Sequence, residues 1–416
     1  MKEELRKRRS WLDGFMAYPA PAGLGETALR DNIILLDQAL YTLWSLGDNL
    51  VYAWTPEPRG LRVLVAPHQM LTEYALGDGR LPPDEVARRT KLLDRLLSNQ
   101  EHLDAQDFDA MSAALEIAPR LIALPFAPAQ GLGLPLIAAI AARYGIRLVE
   151  DRAVILFDAV GFSLLTPLQQ VVQLNSLSCS VNAAYAKLLD REININFART
   201  TTGDGFYIWN RMRGVEANVE LYQLMQFVLA DNALAQERAT RPESVPRLRA
   251  CFHVGSHYEF HQSEGLNPTS FSYLVGQVTI ELARMIERAE PGQILVGKFN
   301  TLMHDEATGE DVRIDSLDFV ERTRAPLRSL NGLKLAGAEV DEIACYLTGR
   351  RDDAGLWGIS EYHMADKHGL IHRVYNAKIN IHRRNGEPIY LGLREEDLPA
   401  DAPRTVADTE FNSLTG

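Results

Sequence analysis

Two carboxylates stand out in this sequence because each follows a strand-like segment and adjoins residues that turn the chain. Asp158 ends the apolar run VILF and is followed by AVGFS, which predicts a side chain at a strand end beside free backbone N–H groups. Asp204 lies in TTGDGFYI, where Gly203 and Gly205 predict a tight hairpin. If the strand before Asp158 lies beside this hairpin, the two carboxylates lie close together. Their oxygens then suit a Mg²⁺ ion, and such an ion can also bind phosphates. Each aspartate alone has a plainer explanation, as a turn residue or a helix cap.

Further short motifs accompany these carboxylates in a fixed order. They are FDAVGFS at Phe157 to Ser163, GDG at Gly203 to Gly205, HVG at His253 to Gly255, a glycine-led helix from Gly276 to Arg284, and PGQILV at Pro291 to Val296. Together they resemble the class III nucleotidyl cyclase catalytic domain, the family of adenylate and guanylate cyclases. The resemblance covers roughly Asp151 to Gly349, about half of the chain.

The resemblance implies attack of a ribose 3′-hydroxyl on the α-phosphate of a nucleoside triphosphate, which releases pyrophosphate and forms a cyclic monophosphate. It implies two Mg²⁺ or Mn²⁺ ions held by Asp158, Asp204 and the carbonyl of Ala159. It also implies that backbone N–H groups hold the β- and γ-phosphates, at Gly161, Phe162 and Ser163. Arg284 matches the arginine that stabilises the reacting phosphate. In the family this arginine comes from the partner subunit, so a homodimer is implied.

Three positions depart from the family pattern where it contacts the base and the ribose. Thr200 stands where the family has a purine-reading lysine or glutamate, Tyr273 replaces its aspartate or cysteine partner, and Ile280 replaces the ribose-orienting asparagine. The charged or acidic hydrogen-bonding partners are therefore absent. Arg199 could supply a donor from a shifted register, and Tyr273 could stack on a base.

Three interpretations remain open. In the first, the chain is a working cyclase of unusual base preference, for a pyrimidine triphosphate as in cyclases that signal in antiphage defence. In the second, it is a catalytically weak homologue that binds a nucleotide for regulation. In the third, the domain serves only to dimerise the chain. The retained pair Asp158 and Asp204, together with Arg284, favours the first interpretation, and Ile280 favours the second.

The elements that must position these residues alternate between strands and helices from about residue 151. The sequence predicts strands at 153–157, 194–200, 206–210 and 249–255, and helices at 166–190, 215–237 and 272–290. This β-α-β-β-α-β succession predicts an α+β fold, a ferredoxin-like sandwich with helices on one face. The stretch before Gly349 is predicted to form the domain's closing strand.

Three flanking segments are predicted outside this domain. Residues 1–150 are expected to form a mixed helical module with a regulatory role. The helical structure is predicted from apolar residues at helical spacing and from a second amphipathic helix at 84–97. Residues 350–395 are expected to form a small β appendage with a hairpin at Asn385-Gly386, and residues 396–416 a frayed tail.

Within the predicted appendage, four residues lie close together in sequence: His363, Asp366, His368 and His372. Their types suit a transition metal, but their intervals match neither a helical pair nor a zinc knuckle, so loop histidines are the favoured explanation.

Composition excludes several classes of protein. The 416 residues carry 43 basic against 55 acidic side chains, a net charge of -12 that opposes non-specific binding to nucleic acid or anionic lipid. Three cysteines far apart support neither disulfides nor a zinc knuckle, so a cytoplasmic protein is expected. The basic start lacks the apolar core of a signal peptide. The uncharged stretch from Leu121 to Ala142 is broken by prolines, which disfavours a membrane span.

Overall fold

The structure is a computed structural model, and it describes residues 15–16, 18–77, 79–98, 102–263, 270–335, 337–349, 358–366, 369–398 and 405–410. The chain divides into two compact units. The first comprises Met1–Val149 and Tyr258–Val275, and the second comprises Glu150–His257 and Gly276–Gly416.

The first unit combines helices with an antiparallel sheet. Its helices are α1 (Glu26–Trp44), α2 (Met70–Leu76), α3 (Pro83–Ser98), α4 (Ala105–Leu115), α5 (Pro128–Gly131) and α6 (Leu134–Ala141), and its strands β1 (Asn49–Glu57), β2 (Gly60–Pro67) and β3 (Arg120–Ala123) pair in that order. The predicted helical spacing is confirmed, because α1 buries Leu29, Ile33, Leu36 and Leu40. The predicted second helix is α3.

The second unit contains most of a large mixed sheet. From residue 146 onward the elements in chain order are β4 (Ile146–Ala159), α7 (Pro167–Leu189), β5 (Phe197–Thr201), β6 (Gly205–Asn210), α8 (Val215–Arg238), β7 (Leu248–Ser263), β8 (Ser270–Val275), α9 (Gln277–Arg288), β9 (Ile294–Gly297), β10 (Asn300–Asp305), β11 (Glu310–Asp315), α10 (Ser316–Leu327), β12 (Lys334–Leu335), β13 (Ala338–Thr348), β14 (Ile359–Ala365), β15 (Ile371–Arg384), β16 (Gly386–Leu391) and β17 (Thr405–Glu410). Along the sheet the order is β12-β13-β15-β9-β7-β4-β6-β5. The division between the units falls inside β4 and β7, and β8 belongs to the first unit.

Alternation along β4 decides which face of the sheet meets the helices. Ala153, Ile155 and Phe157 enter one core with apolar residues of α7 and α8. Because side chains alternate along a strand, Asp158 lies on the opposite face. The predicted mixed α+β class is confirmed, and the strand, helix and hairpin succession from β4 to β7 follows the predicted order.

One predicted helix begins later than expected. Residues 272–275 were expected to open the third helix, but they lie in β8, which pairs antiparallel with β7, and the helix α9 begins at Gln277. Gly276 separates the two elements because its φ is +156° and an added Cβ would lie 2.7 Å from the Cα of His257. The β-prone sequence SFSYLV therefore extends the β7 hairpin.

The predicted β appendage is part of the main sheet. The hairpin at Asn385-Gly386 is confirmed, with Asn385 at φ 58° between β15 and β16. However, β15 lies between β9 and β13 and pairs antiparallel with both. Its central residues, Val374, Ala377, Ile379 and Ile381, are fully buried. These C-terminal residues therefore complete the fold of the second unit.

Two expectations from composition can be compared with the structure. Within the described ranges, no helix has both the length and the apolar character needed to cross a bilayer. The uncharged stretch at 121–142 instead forms β3, α5 and α6. The three cysteines are free, as predicted.

Candidate functional site

Pairing of β4 with β6 brings Asp158 and Asp204 together. In this antiparallel register Asp158 lies opposite Gly205, and the N–H of Ala159 donates to the carbonyl of Asp204 at 3.0 Å. Gly205 permits this approach, because an added Cβ would lie 1.8 Å from the carbonyl oxygen of Phe157. The two carboxylates are near enough that Asp204 raises the pKa of Asp158. The structure thus unites the two residues that the sequence singled out.

Local hydrogen bonds shape the turn that carries Asp204. Thr202 Oγ1 donates to Asp204 Oδ1 at 3.1 Å, and the N–H of Gly203 donates to Thr201 Oγ1 at 3.0 Å. Gly203 has a φ of +103°, which side chains disfavour. In the GDG motif, Gly203 is therefore needed for its positive φ, and Gly205 is needed because a side chain there would clash with β4.

Sequence reasoning missed Arg249, which lies on β7 beside β4. Its Nε donates to Asp158 Oδ2 at 2.6 Å, and its Nη1 donates to the carbonyl of Ala289 at 3.0 Å. A signal was present, because an arginine inside the apolar strand RACFHV needs a polar partner when the strand is buried. The site therefore contains a cation as well as two carboxylates.

Burial dominates the electrostatics of Asp158. It raises the pKa of this carboxyl above its ordinary value, the guanidinium of Arg249 opposes the rise, and the carboxylate of Asp204 adds to it. Two neighbouring carboxylates, of which Asp158 is buried, suit a cation between them. In the described residues, no group of three or more His, Cys, Asp or Glu side chains is arranged to hold a metal. The donor set here is two carboxylates, so further ligands must come from backbone or substrate oxygens.

The loop after Asp158 leads into α7 through a short 3₁₀ turn at Phe162–Leu164. Gly161 precedes the turn with a φ of +72°, and Thr166 caps α7 with a reciprocal hydrogen-bond pair to Gln169. Within the described ranges, no acceptor receives the N–H groups of Gly161, Phe162 and Ser163. These donors are therefore available to an anion.

The predicted base-contact residues on β5 face opposite ways. Thr200 pairs with Tyr207 of β6, and Tyr207 pairs with Leu156 of β4, so these three side chains lie on one face of the sheet. Asp158 is two residues after Leu156 and lies on the same face. Arg199 lies on the other face, with its guanidinium 5.4 Å from the centre of the Phe206 ring.

The remaining predicted site residues lie on β8 and α9. Tyr273 belongs to the first unit, where its ring stacks on Phe260 with centroids 5.3 Å apart. Ile280 and Arg284 lie on α9, and Ile280 is 51% exposed. The guanidinium of Arg284 faces Asp366 at 3.5 Å and Glu287 at 3.4 Å.

The predicted histidine and aspartate cluster separates into different contacts. His363 contacts Glu361 at 3.1 Å, whereas Asp366 and His372 contact each other at 3.5 Å. His368 lies outside the described residues. The described members therefore do not gather around one point, in agreement with the absence of a metal-binding group among the described residues.

Comparison with known proteins finds similarity among solved structures only. No family model matches the sequence, and no curated protein matches it. The guanylate cyclase domain of RhGC from Catenaria anguillulae, solved with GTP, is 11% identical with a TM-score of 0.33, over 57% of this chain and 99% of that chain. The guanylyl cyclase Cya2 is 11% identical with a TM-score of 0.29, over 62% and 98% of the two chains. The adenylyl cyclase CyaB from P. aeruginosa is 12% identical with a TM-score of 0.28, over 61% and 100%.

Proposed function

We propose that this chain is a nucleotidyl cyclase that converts a nucleoside triphosphate to a 3′,5′-cyclic monophosphate and pyrophosphate. The observation that carries the proposal is the adjacency of Asp158 and Asp204 beside the guanidinium of Arg249. Two carboxylates with hard oxygen donors suit a divalent ion, and the guanidinium of Arg249 suits the phosphates that such an ion would hold. The ordered motifs of the class III family support the same chemistry.

In this proposal the two aspartates and the carbonyl of Ala159 would hold two Mg²⁺ or Mn²⁺ ions. Such ions, when bound, acidify the ribose 3′-hydroxyl and neutralise the charge on the leaving pyrophosphate. Burial raises the pKa of the Asp158 carboxyl and the charge of Asp204 adds to the rise, and a bound cation would stabilise both carboxylates in their charged form. Arg249 pairs with Asp158 in the free protein and has a phosphate oxygen as its alternative partner.

The phosphates and the transition state require further donors. The N–H groups of Gly161, Phe162 and Ser163 bind the β- and γ-phosphates at the loop before α7. Arg284, from the partner subunit of a homodimer, stabilises the charge that develops on the α-phosphate. An active homodimer is therefore part of the proposal.

The base preference in this proposal is atypical. Thr200 and Tyr273 lack the charged pair that reads a purine edge, and they suit a smaller pyrimidine through a hydroxyl and a stacking ring. Thr200 is the stronger candidate on β5, because it shares the face of Asp158, whereas Arg199 lies on the opposite face. Only the family resemblance supports a role in antiphage signalling.

A second candidate function is nucleotide binding with little or no turnover. The ion pair between Arg249 and Asp158 favours it, since this contact occupies an oxygen that a metal would need. Ile280 favours it as well, because an apolar side chain cannot orient the ribose by hydrogen bonding.

Product analysis separates the two candidates. The purified full-length protein is incubated with MnCl₂ and each of ATP, GTP, CTP and UTP, and products are identified by mass spectrometry. We expect a cyclic monophosphate from one triphosphate and a loss of at least about 100-fold in Asp158→Ala and Asp204→Ala. Asp341→Ala removes a carboxylate from a surface ion pair with Arg384 and serves as the control.

Absence of a cyclic product from all four triphosphates would overturn the cyclase proposal. A triphosphate-dependent rise in melting temperature would then support the binding homologue. If no nucleotide raises the melting temperature, the second candidate is also wrong.

A further inference from the structure

A network of four ionisable side chains joins α9 to the β14–β15 turn. Asp366 Oδ2 lies 3.5 Å from Arg284 Nε and 3.5 Å from His372 Nε2. The other ring nitrogen of His372 contacts Glu281, which stands three residues before Arg284 on the same helix. The contacts thus form a chain that starts and ends on α9, from Glu281 through His372 and Asp366 to Arg284.

Burial makes this network costly to disturb. The side chains of Asp366 and His372 are 3% and 5% exposed. A buried carboxylate that loses its partner remains as an uncompensated charge, so these contacts hold their members in place. Asp366 Oδ1 also accepts a hydrogen bond from the N–H of Leu370 at 2.9 Å. Arg288 adds a further link, because its Nη2 donates to the carbonyl of Ala365 at 3.2 Å.

Among the described residues, the ion pairs of Arg284 use two of its three guanidinium nitrogens. Its Nε faces Asp366 and its Nη1 faces Glu287, whereas Nη2 is engaged in neither contact. A planar guanidinium fixed through Nε has a defined orientation for its remaining donors. The side chain is 20% exposed, so it is held without being fully buried.

We infer that Asp366, directly after β14, and His372, near the start of β15, are positioning residues for Arg284 and therefore belong to the cyclase machinery. The inference rests on the proposed function, in which Arg284 stabilises the transition state. Asp366 fixes the guanidinium directly, and His372 supports Asp366 by tying it to Glu281. Neither residue touches the substrate in this arrangement.

A double-mutant cycle tests the inference. We expect Asp366→Ala to lower kcat about 100-fold while KM changes less than about threefold, because a misplaced group that acts in the transition state affects kcat. Arg284→Ala should lower kcat about 100- to 1,000-fold. The double variant should be no slower than Arg284→Ala alone, since Asp366 acts through that arginine.

Conservative variants separate positioning from folding. Asp366→Asn keeps an acceptor for the N–H of Leu370 but turns an amide NH₂ toward Arg284, so we expect kcat to stay about as low as in Asp366→Ala although the local backbone contact is kept. His372→Ala should lower kcat less than Asp366→Ala does. Losses that multiply in the double variant, or an Asp366→Ala enzyme with wild-type kcat, would overturn the inference.

A chemical readout separates this inference from the proposed function. Phenylglyoxal labelling, followed by peptide mass spectrometry, reports the accessibility of each arginine. We expect Asp366→Ala to increase the labelling rate of Arg284 several-fold and to leave that of Arg384 unchanged. If the wild type makes no cyclic product, the proposed function fails, and this readout still decides whether Asp366 holds Arg284. Equal labelling rates at Arg284 would overturn the inference.

Discussion

At the scale of single residues, burial destabilises the charged form of the Asp158 side chain. This side chain is 11% exposed, and burial is the largest cause that raises the pKa of its carboxyl. Arg249 lowers this pKa and Asp204 raises it further. Because the pKa is higher in the folded than in the unfolded chain, folding takes up a proton between the two values. The metal-free protein therefore loses stability as the pH rises through the raised pKa of Asp158.

Asp204→Asn should remove the repulsion and keep the acceptor for Thr202. We expect the metal-free variant to melt about 1–3 °C above the wild type at neutral pH, for a gain of about 1 kcal/mol, and this difference to disappear at acidic pH. MnCl₂ should raise the melting temperature of the wild type more than that of the variant. Thermal unfolding across pH measures both effects, with Asp341→Asn as the control. A variant that melts below the wild type at neutral pH would contradict this prediction.

At the scale of elements, backbone contacts hold the β5–β6 hairpin against β4. The carbonyl of Phe157 occupies the space where a side chain of Gly205 would lie, and an added Cβ would be 1.8 Å from its oxygen. The position of Asp204 therefore depends on the glycine that follows it. Gly255 on β7 offers a contrast, because an added Cβ there would lie 3.5 Å from the nearest atom, in Val278.

Gly205→Ala should force the hairpin away from β4. We expect a loss of about 2–4 kcal/mol in the free energy of unfolding, because the obstructing atom belongs to the backbone and cannot move aside. Gly255→Ala should cost less than about 1 kcal/mol. Urea unfolding followed by circular dichroism measures both changes. Equal midpoints for the two variants would show that the hairpin accommodates a methyl group.

At the scale of the whole molecule, the C-terminal strands complete the second unit. Asn376 of β15 is fully buried, donates to Thr348 Oγ1 at 2.7 Å and accepts from Gln293 Nε2 at 3.1 Å. These bonds join β15 to β13 and to the segment before β9. Removal of β15 would expose the edges of β9 and β13 together with an apolar core.

A chain that ends at Gly349 should therefore fail to fold. We expect little soluble protein and no cooperative thermal transition, because buried apolar residues of β15 are lost and their neighbours become exposed. A chain that ends at Leu398 keeps β15 and serves as the control, with a transition near that of the full-length protein. Soluble yield and circular dichroism measure the outcome. A cooperative transition in the shorter chain at the full-length temperature would show that the C-terminal strands are dispensable.

Local sequence signals predicted much of the second unit. The apolar run VILF predicted the end of β4, the helices predicted at 166–190 and 215–237 correspond to α7 and α8, and the Asn385-Gly386 pair predicted a hairpin. The adjacency of Asp158 and Asp204 was also predictable, because a strand end and a glycine hairpin carry them. The elements themselves depend on residues near in sequence, and the adjacency of the two aspartates also needs the pairing of β4 with β6.

Tertiary structure alone decided the contacts between distant segments. Arg249 and Asp158 are 91 residues apart, and their ion pair exists because β7 lies beside β4 in the sheet. The places of β15 in the sheet and of Asp366 beside Arg284 were likewise not predictable from spacing. An isolated strand has the same periodicity at the edge and in the centre of a sheet. The strands with which it pairs are determined by how the apolar residues of the whole core are buried.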